Sequence, residues 1–211
     1  MKNKNHWYDG VFYDRVIAPH QDKAFAHIKE LIADGGTVVD VGCGTGRLAL
    51  QLADKCSSVD GLDPSKRNIA VAREKLSGRP EKSVRFHHAD AHGFFRDRSS
   101  LYDYATISYV IHEVDEKDRI ALLQALASST RNLIMVDYLV PQPESARKIL
   151  NEIVEFVAGR THYRNFKSFV SGNGLIGLAE RAGLHIVHER KNDPVSSHIV
   201  VATREPVFIH S

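Results

Sequence analysis

The sequence predicts an α/β fold: a doubly wound, mostly parallel sheet with helices on both faces. Two observations carry this, and the composition fits it. Short apolar runs rich in β-branched residues alternate with stretches of helical periodicity from residue 37 to residue 138, the pattern of βα units. The first run, Val38-Val39-Asp40-Val41, leads into three glycines at alternate positions, Gly42, Gly44 and Gly46. Arg47-Leu48-Ala49-Leu50 then opens a helix, so the stretch reads as a buried parallel strand, a tight turn and a helix N-terminus. A chain of 211 residues, 43% apolar and 26% charged, is long enough to bury one such core.

Each element follows from local pattern. Ala24, Phe25, Ile28, Leu31 and Ile32 recur at helical spacing, which predicts a helix over 22–33, stopped by Gly35-Gly36. Strand one spans 37–41 and its helix 46–54. Strand two spans 57–62 and ends at Asp63-Pro64. Ser65 opens a helix with Ile69, Val71, Ala72 and Leu76 on its inner side. Strand three spans 84–88 and ends at Ala89-Asp90, and an irregular stretch with Phe94 and Phe95 follows. Strand four spans 102–108. Asp115 is placed to cap a helix with Ile120, Leu123, Leu126 and Ala127 on one face. Strand five spans 132–138. After Pro141-Gln142-Pro143 the rhythm changes to a helix over 144–157, a polar and aromatic segment at His162–Phe166, and a helix over 175–182 capped by Gly183. Strands at 184–190 and 197–203, with Asn192-Asp193-Pro194 between them, form a hairpin or an antiparallel insertion. The expected organisation is one domain over 1–211: an N-terminal helical cap (1–34), a core (35–140), lid helices (141–183) and a C-terminal strand pair (184–211). Residues 1–20 and 141–172 are the candidate lid segments.

Ligands of open α/β sheets bind beyond the carboxyl ends of the strands, where the strand order reverses. The residues at those ends are Asp40 with the glycine turn, Asp63, Asp90 with Ala91, Ser108 with Tyr109, and Asp137 with Tyr138. Asp63 lies 17 residues after Gly46, at the end of the next strand, where a carboxylate accepts hydrogen bonds from a ribose diol; the competing reading is a cap on the helix that follows Pro64. Asp90 is placed to accept from an adenine amino group, with the Ala91 N–H reading a ring nitrogen; the competing reading is an aspartate satisfying its own loop. The turn is G-x-G-x-G rather than the G-x-G-x-x-G of dinucleotide folds, and a carboxylate stands in front of it. That arrangement suits an ammonium group better than a pyrophosphate, and so a nucleoside carrying an amino-acid tail.

Residues 38–46, Val-Val-Asp-Val-Gly-Cys-Gly-Thr-Gly, resemble the first motif of the class I, Rossmann-like S-adenosylmethionine-dependent methyltransferases. Gly61-Leu62-Asp63-Pro64-Ser65 is similar to their ribose motif, Ala89-Asp90-Ala91 to their adenine motif, and 102–108 with Val110-Ile111-His112-Glu113-Val114 to their fourth motif. The resemblance runs from about residue 10 to 204, and 162–184 resemble the ubiquinone/menaquinone-biosynthesis branch. It implies a seven-stranded sheet with an antiparallel last strand, S-adenosylmethionine as cofactor, and a small-molecule acceptor. It implies that Asp40 and the backbone of Gly42 and Gly44 hold the methionine end, that Asp63 binds the ribose hydroxyls, that Asp90 with Ala91 holds the adenine, and that Ser108 lies beside the reactive methyl; Cys43, Gly46 and Pro64 count with them as cofactor-binding residues.

A sulfonium methyl is already activated, so a general base is needed only where the acceptor must lose a proton. The candidates are His112, His162 and Tyr163. The competing readings are a histidine packed under the next helix and a solvated helix face. Trp7, Tyr13 and Tyr109 are candidate walls of the acceptor pocket. His87 and His88 point to opposite faces of a strand, so no metal site is expected. A formal charge of +2 with scattered basic residues argues against a nucleic-acid partner. No run of about 18 apolar residues would span a membrane. The polar N-terminus and only two cysteines, Cys43 and Cys56, point to the cytoplasm. The competing functions are an NAD-dependent oxidoreductase on the same strand–turn–helix and a non-catalytic S-adenosylmethionine-binding protein. The sequence leaves the acceptor atom and the oligomeric state open.

Overall fold

The computed structural model describes residues 21–78, 83–96, 101–141, 159–191 and 197–205. Trp7, Tyr13, the segment 1–20, the helix expected at 144–157 and the turn at 192–194 lie outside them. Seven strands form one sheet in the order β3-β2-β1-β4-β5-β7-β6. Residues up to Ile107 and from Ser108 onward cluster as two compact units.

The first unit opens with α1 (Asp22–Leu31), whose Ala24, Phe25 and Ile28 are buried. It continues through β1 (Thr37–Val41), α2 (Arg47–Gln51), β2 (Ser58–Asp63), α3 (Lys66–Ser77), β3 (Val84–His88), α4 (Ala91–Phe95) and β4 (Tyr102–Ser108). β1 pairs in parallel with β2 on one side and β4 on the other. The chain order reverses at β1, and that is where a doubly wound sheet opens its binding crevice. Four of the five β1 residues are buried, Asp40 among them, because the strand is covered on both faces. α2 is shorter than the expected 46–54. Its first residue, Arg47, makes a two-pronged contact with Asp22 of α1 (2.9 and 2.6 Å), which fixes the helix start beside the glycine turn. α4 corrects the expected irregular stretch. Asp90 accepts from the Gly93 N–H at 2.7 Å and so caps a single helical turn that Gly93 disguises in the sequence.

The second unit holds α5 (Glu116–Ser129), β5 (Thr130–Tyr138), α6 (Arg160–Ser171), α7 (Gly174–Arg181), β6 (His185–Lys191) and β7 (Ser197–Thr203). β7 runs antiparallel to both β5 and β6, and all seven of its residues are buried. β6 is the edge strand, and its exposed His188, Glu189, Arg190 and Lys191 keep that edge polar. α7 ends as expected: Gly183 adopts φ +70°, its N–H donates to Glu180 O, and Leu184 N–H donates to Ala179 O. Two positions differ from the sequence pattern. The polar-aromatic segment at 162–166 is helical, part of α6. On α5 the fully buried residue of the first turns is Arg119, while Ile120 is only half-buried.

Candidate functional site

The first unit assembles the glycine turn. Gly42, Gly44 and Gly46 all adopt left-handed φ (72°, 54° and 79°), where a side chain is strained. The N–H groups of Gly42 and Cys43 both donate to Leu62 O (2.8 and 2.9 Å), which ties the turn to β2. The glycines serve different ends. A Cβ on Gly46 would land on the Phe86 ring, so this position is closed by packing. A Cβ on Gly44 would meet nothing within 4 Å, so this position keeps a side chain out of open space.

Asp40 stands under this turn, 2% exposed. Thr106, its register partner on β4, donates to Asp40 Oδ1 at 2.7 Å. Asp40 Oδ2 is buried without a partner among the described residues. Burial pushes the carboxyl up to about 7, the Thr106 hydroxyl opposes this, and the Asp63 charge adds to it. A buried carboxylate with a vacant oxygen calls for a cationic donor. The ammonium of an amino-acid tail is one, and a pyrophosphate is not.

Asp63 closes the other side. Its Oδ2 accepts from Gly44 N–H at 2.9 Å, and its Oδ1 accepts from Ser65 N–H at 2.7 Å and from Asn68 Nδ2 at 3.4 Å. It therefore braces the glycine turn against the α3 N-terminus. Pro64 is exposed, and its carbonyl lies 3.1 Å from His88 Nε2. Cys43 is buried. Burial, with the Asp40 and Asp63 charges, holds its thiol well above the ordinary value, so it packs and does not react. Asp90 is exposed, and its cap leaves Ala91 buried in the first turn of α4. His87 and His88 face apart, His87 toward Asp60 at 2.6 Å and His88 toward Pro64.

The second unit holds the other candidates. Ser108 Oγ is buried without a partner among the described residues. Tyr109 follows at φ +57°, a conformation that non-glycine residues adopt rarely and often at functional positions. Its N–H donates to Val136 O at 2.7 Å. Burial pushes its phenol up to about 12, against a hydrogen bond with Ser197.

His112 is 3% exposed. Its Nδ1 lies 2.7 Å from Asp137 Oδ1, and its backbone N–H donates to Asp137 Oδ2 at 3.3 Å. One fully buried carboxylate thus fixes both ring and backbone. Tyr138 stacks obliquely on the ring at 4.9 Å, with Phe166 and Phe169 edge-on at 6.4 and 6.3 Å. The α6 rings that reach His112 are therefore Phe166 and Phe169. His162 and Tyr163 lie about one turn earlier on that helix, half-buried, with Lys167 Nζ 6.0 Å from the Tyr163 ring.

The turn that carries His112 is held from both sides. Arg119, 1% exposed, donates to the carbonyls of Val114 (3.0 Å), His112 (3.2 Å) and Asn165 (2.6 Å). Burial lowers its pKa, and the Glu116 and Asp137 charges oppose that. Asn165 donates from Nδ2 to Glu113 O at 2.8 Å and to Asp115 Oδ1 at 3.0 Å. Asp115 does sit at the α5 N-cap, but its carboxylate serves Asn165 and makes no side-chain cap bond.

Sequence reasoning missed Thr106, Asn68, Arg119 and Asn165, and placed Asp137 at a strand end without a role. Only Arg119 had a readable signal, since it shares the α5 stripe with Leu123, Leu126 and Ala127.

Residues 38–133 match a family described as "Methyltransferase domain". The chain is 28% identical over 158 residues to the O-methyltransferase cnsE of Penicillium expansum, covering 74% of this chain and 54% of the relative. It is 32% identical over 107 residues to the demethylmenaquinone methyltransferase of Shouchella clausii, covering 48% and 45%. The chain thus spans about half the length of these curated relatives. The solved magnesium protoporphyrin IX methyltransferase of Synechocystis, with bound SAH, shares the fold at TM-score 0.63 and 20% identity, over 93% of this chain and 88% of that one. Motif order, strand order and the match over residues 38–133 agree on a Rossmann-like methyltransferase fold for this part of the chain.

Proposed function

We propose that the protein transfers a methyl group from S-adenosylmethionine to a small-molecule acceptor. The observation that carries this is Asp40: a buried carboxylate, its second oxygen without a partner, beneath a turn of left-handed glycines. The cofactor supplies an electrophilic methyl on a sulfonium when bound. Asp40 holds the ammonium of its amino-acid tail, with Gly42, Cys43, Gly44 and Gly46 forming the bed. Asp63 takes the ribose, flanked by Pro64. Asp90 and Ala91 take the adenine, and Ser108 serves the methyl end. Asp90 reaches the adenine with the oxygen that does not cap α4.

In the second unit, His112 and Asp137 form a base and its orienting carboxylate. With Nδ1 turned to Asp137, the Nδ1–H tautomer is favoured and Nε2 becomes the basic nitrogen. Such a base is useful only for an acceptor that gives up a proton, which favours a hydroxyl over an amine or a thioether. The relative named as an O-methyltransferase supports the same direction. Tyr109, with Trp7 and Tyr13, is an acceptor-side wall in this reading, and His162 and Tyr163 contact the acceptor from α6.

The near-neutral formal charge supports a small molecule over nucleic acid. Among the described residues no helix is long and apolar enough to cross a membrane. Cytoplasmic residence and a single functional domain complete the proposal.

Thermal unfolding with and without S-adenosylhomocysteine (SAH) tests the cofactor half. Ligand at about 100 times Kd should add about 2.7 kcal/mol of stability, and Asp63→Ala should abolish the shift. No shift at millimolar SAH would refute it. Release of SAH from S-adenosylmethionine in the presence of mixed hydroxyl and amine acceptors distinguishes an enzyme from a binding protein.

A further inference from the structure

We propose that Asn68 is a cofactor-binding residue whose side-chain carbonyl accepts a hydrogen bond from one ribose hydroxyl while Asp63 takes the other. This rests on the reading that S-adenosylmethionine binds at the glycine turn.

Asn68 lies in the first turn of α3, five residues beyond Asp63. Its backbone N–H is already used, donating to the Ser65 hydroxyl that caps the helix (3.3 Å). Its side-chain nitrogen faces Asp63 Oδ1 at 3.4 Å. This settles which end of the amide is which, because exchanging the two would set one acceptor against another. Oδ1 is therefore turned away from the carboxylate. It is buried and has no partner among the described residues. Buried amide carbonyls are nearly always satisfied, and one left without a donor in a tight βα turn points to a ligand that brings one. The same condition marks Asp40 Oδ2, which the motif order assigns independently to the cofactor.

The chemistry of the neighbours selects the donor. Asp63 spends acceptor capacity on Gly44, Ser65 and Asn68 itself, so one carboxylate has limited room for two hydroxyls. Adjacent hydroxyls need adjacent acceptors, and the Asn68 carbonyl belongs to the same amide that touches Asp63. A neutral acceptor beside an anionic one reads an unmodified diol. It gains nothing from a deoxyribose, and both reject a phosphorylated one. Asn68 is thus a specificity residue.

The test is calorimetric titration of the full chain with SAH and with its 2′-deoxy and 3′-deoxy analogues, using wild type, Asn68→Ala and Asn68→Leu. Both substitutions should weaken SAH roughly tenfold, the scale of one buried hydrogen bond. For one deoxy analogue the wild type should already show that loss, and the substitutions should add less than about twofold. Equal losses for SAH and both analogues would show that Asn68 acts only by bracing Asp63, and would overturn the proposal. Undiminished SAH binding by both variants would overturn it as well. Wild type failing to bind SAH would refute the cofactor reading itself, a different outcome from tight wild-type binding indifferent to Asn68.

Discussion

Replacing Asp40 with asparagine should stabilise the ligand-free protein at neutral and alkaline pH while removing its response to SAH. The wild-type carboxyl titrates near 7 in the folded chain, against an ordinary value of 3.8. Between those values the unfolded chain has released the proton and the folded chain still holds it. Folding stability therefore falls as pH rises through this window, by about 1.4 kcal/mol per unit, and levels off above 7. From pH 5 to pH 8 the loss is on the order of 3 kcal/mol. For a chain of 211 residues this is about 6–12 °C in Tm. Asparagine keeps the acceptor for Thr106, carries no charge and has no such slope. The assay is thermal unfolding of both proteins at pH 5 to 9, with and without SAH. The wild-type Tm should fall relative to Asp40→Asn as pH rises, and SAH should restore the wild type alone. A difference independent of pH, or a variant that retains wild-type SAH affinity, would refute the reasoning.

Other substitutions separate structure from chemistry. Gly46→Ala combines left-handed strain with a collision with Phe86, and should cost about 3 kcal/mol or more in chemical denaturation. Gly44→Ala meets no neighbour, and should cost only about 1–2 kcal/mol while weakening SAH by about tenfold or more in calorimetry. Arg119→Met leaves the carbonyls of His112, Val114 and Asn165 without their donor, and should destabilise by more than about 3 kcal/mol, read from denaturant midpoints. His112→Gln should leave SAH affinity within about twofold and lower turnover of a hydroxyl acceptor by about 10²–10⁴. Full turnover by that variant would remove the base from the mechanism.

The sheet was readable because burial on both faces writes itself into sequence as β-branched runs, and because Asp63-Pro64 and the glycines mark where strands stop. β1, β3 and β4 fall on their expected residues. Asp40 was readable for a related reason: a lone carboxylate in an apolar strand needs a partner that the strand itself does not provide. α6 was obscured because Gly159, at φ +117°, makes no side-chain cap and the first turn carries no acid. The hold on His112 was hidden more deeply. Asn165 meets Glu113 and Asp115 across about fifty residues of chain, and a tertiary hydrogen bond of that span leaves no local pattern. Asn68 is intermediate: it is near Asp63 in sequence, but only its geometry shows which amide atom lacks a partner.

Calorimetric titration of the full chain with SAH and with NAD, in buffers of different ionisation enthalpy at pH 6, tests the identity of the ligand most directly. SAH should bind and release about one proton, because an ammonium opposite Asp40 drives its carboxyl to ionise, and NAD should give no binding heat. Binding of NAD without SAH, or SAH binding with no proton released, would contradict the assignment of the glycine turn and Asp40 to an amino-acid-bearing nucleoside.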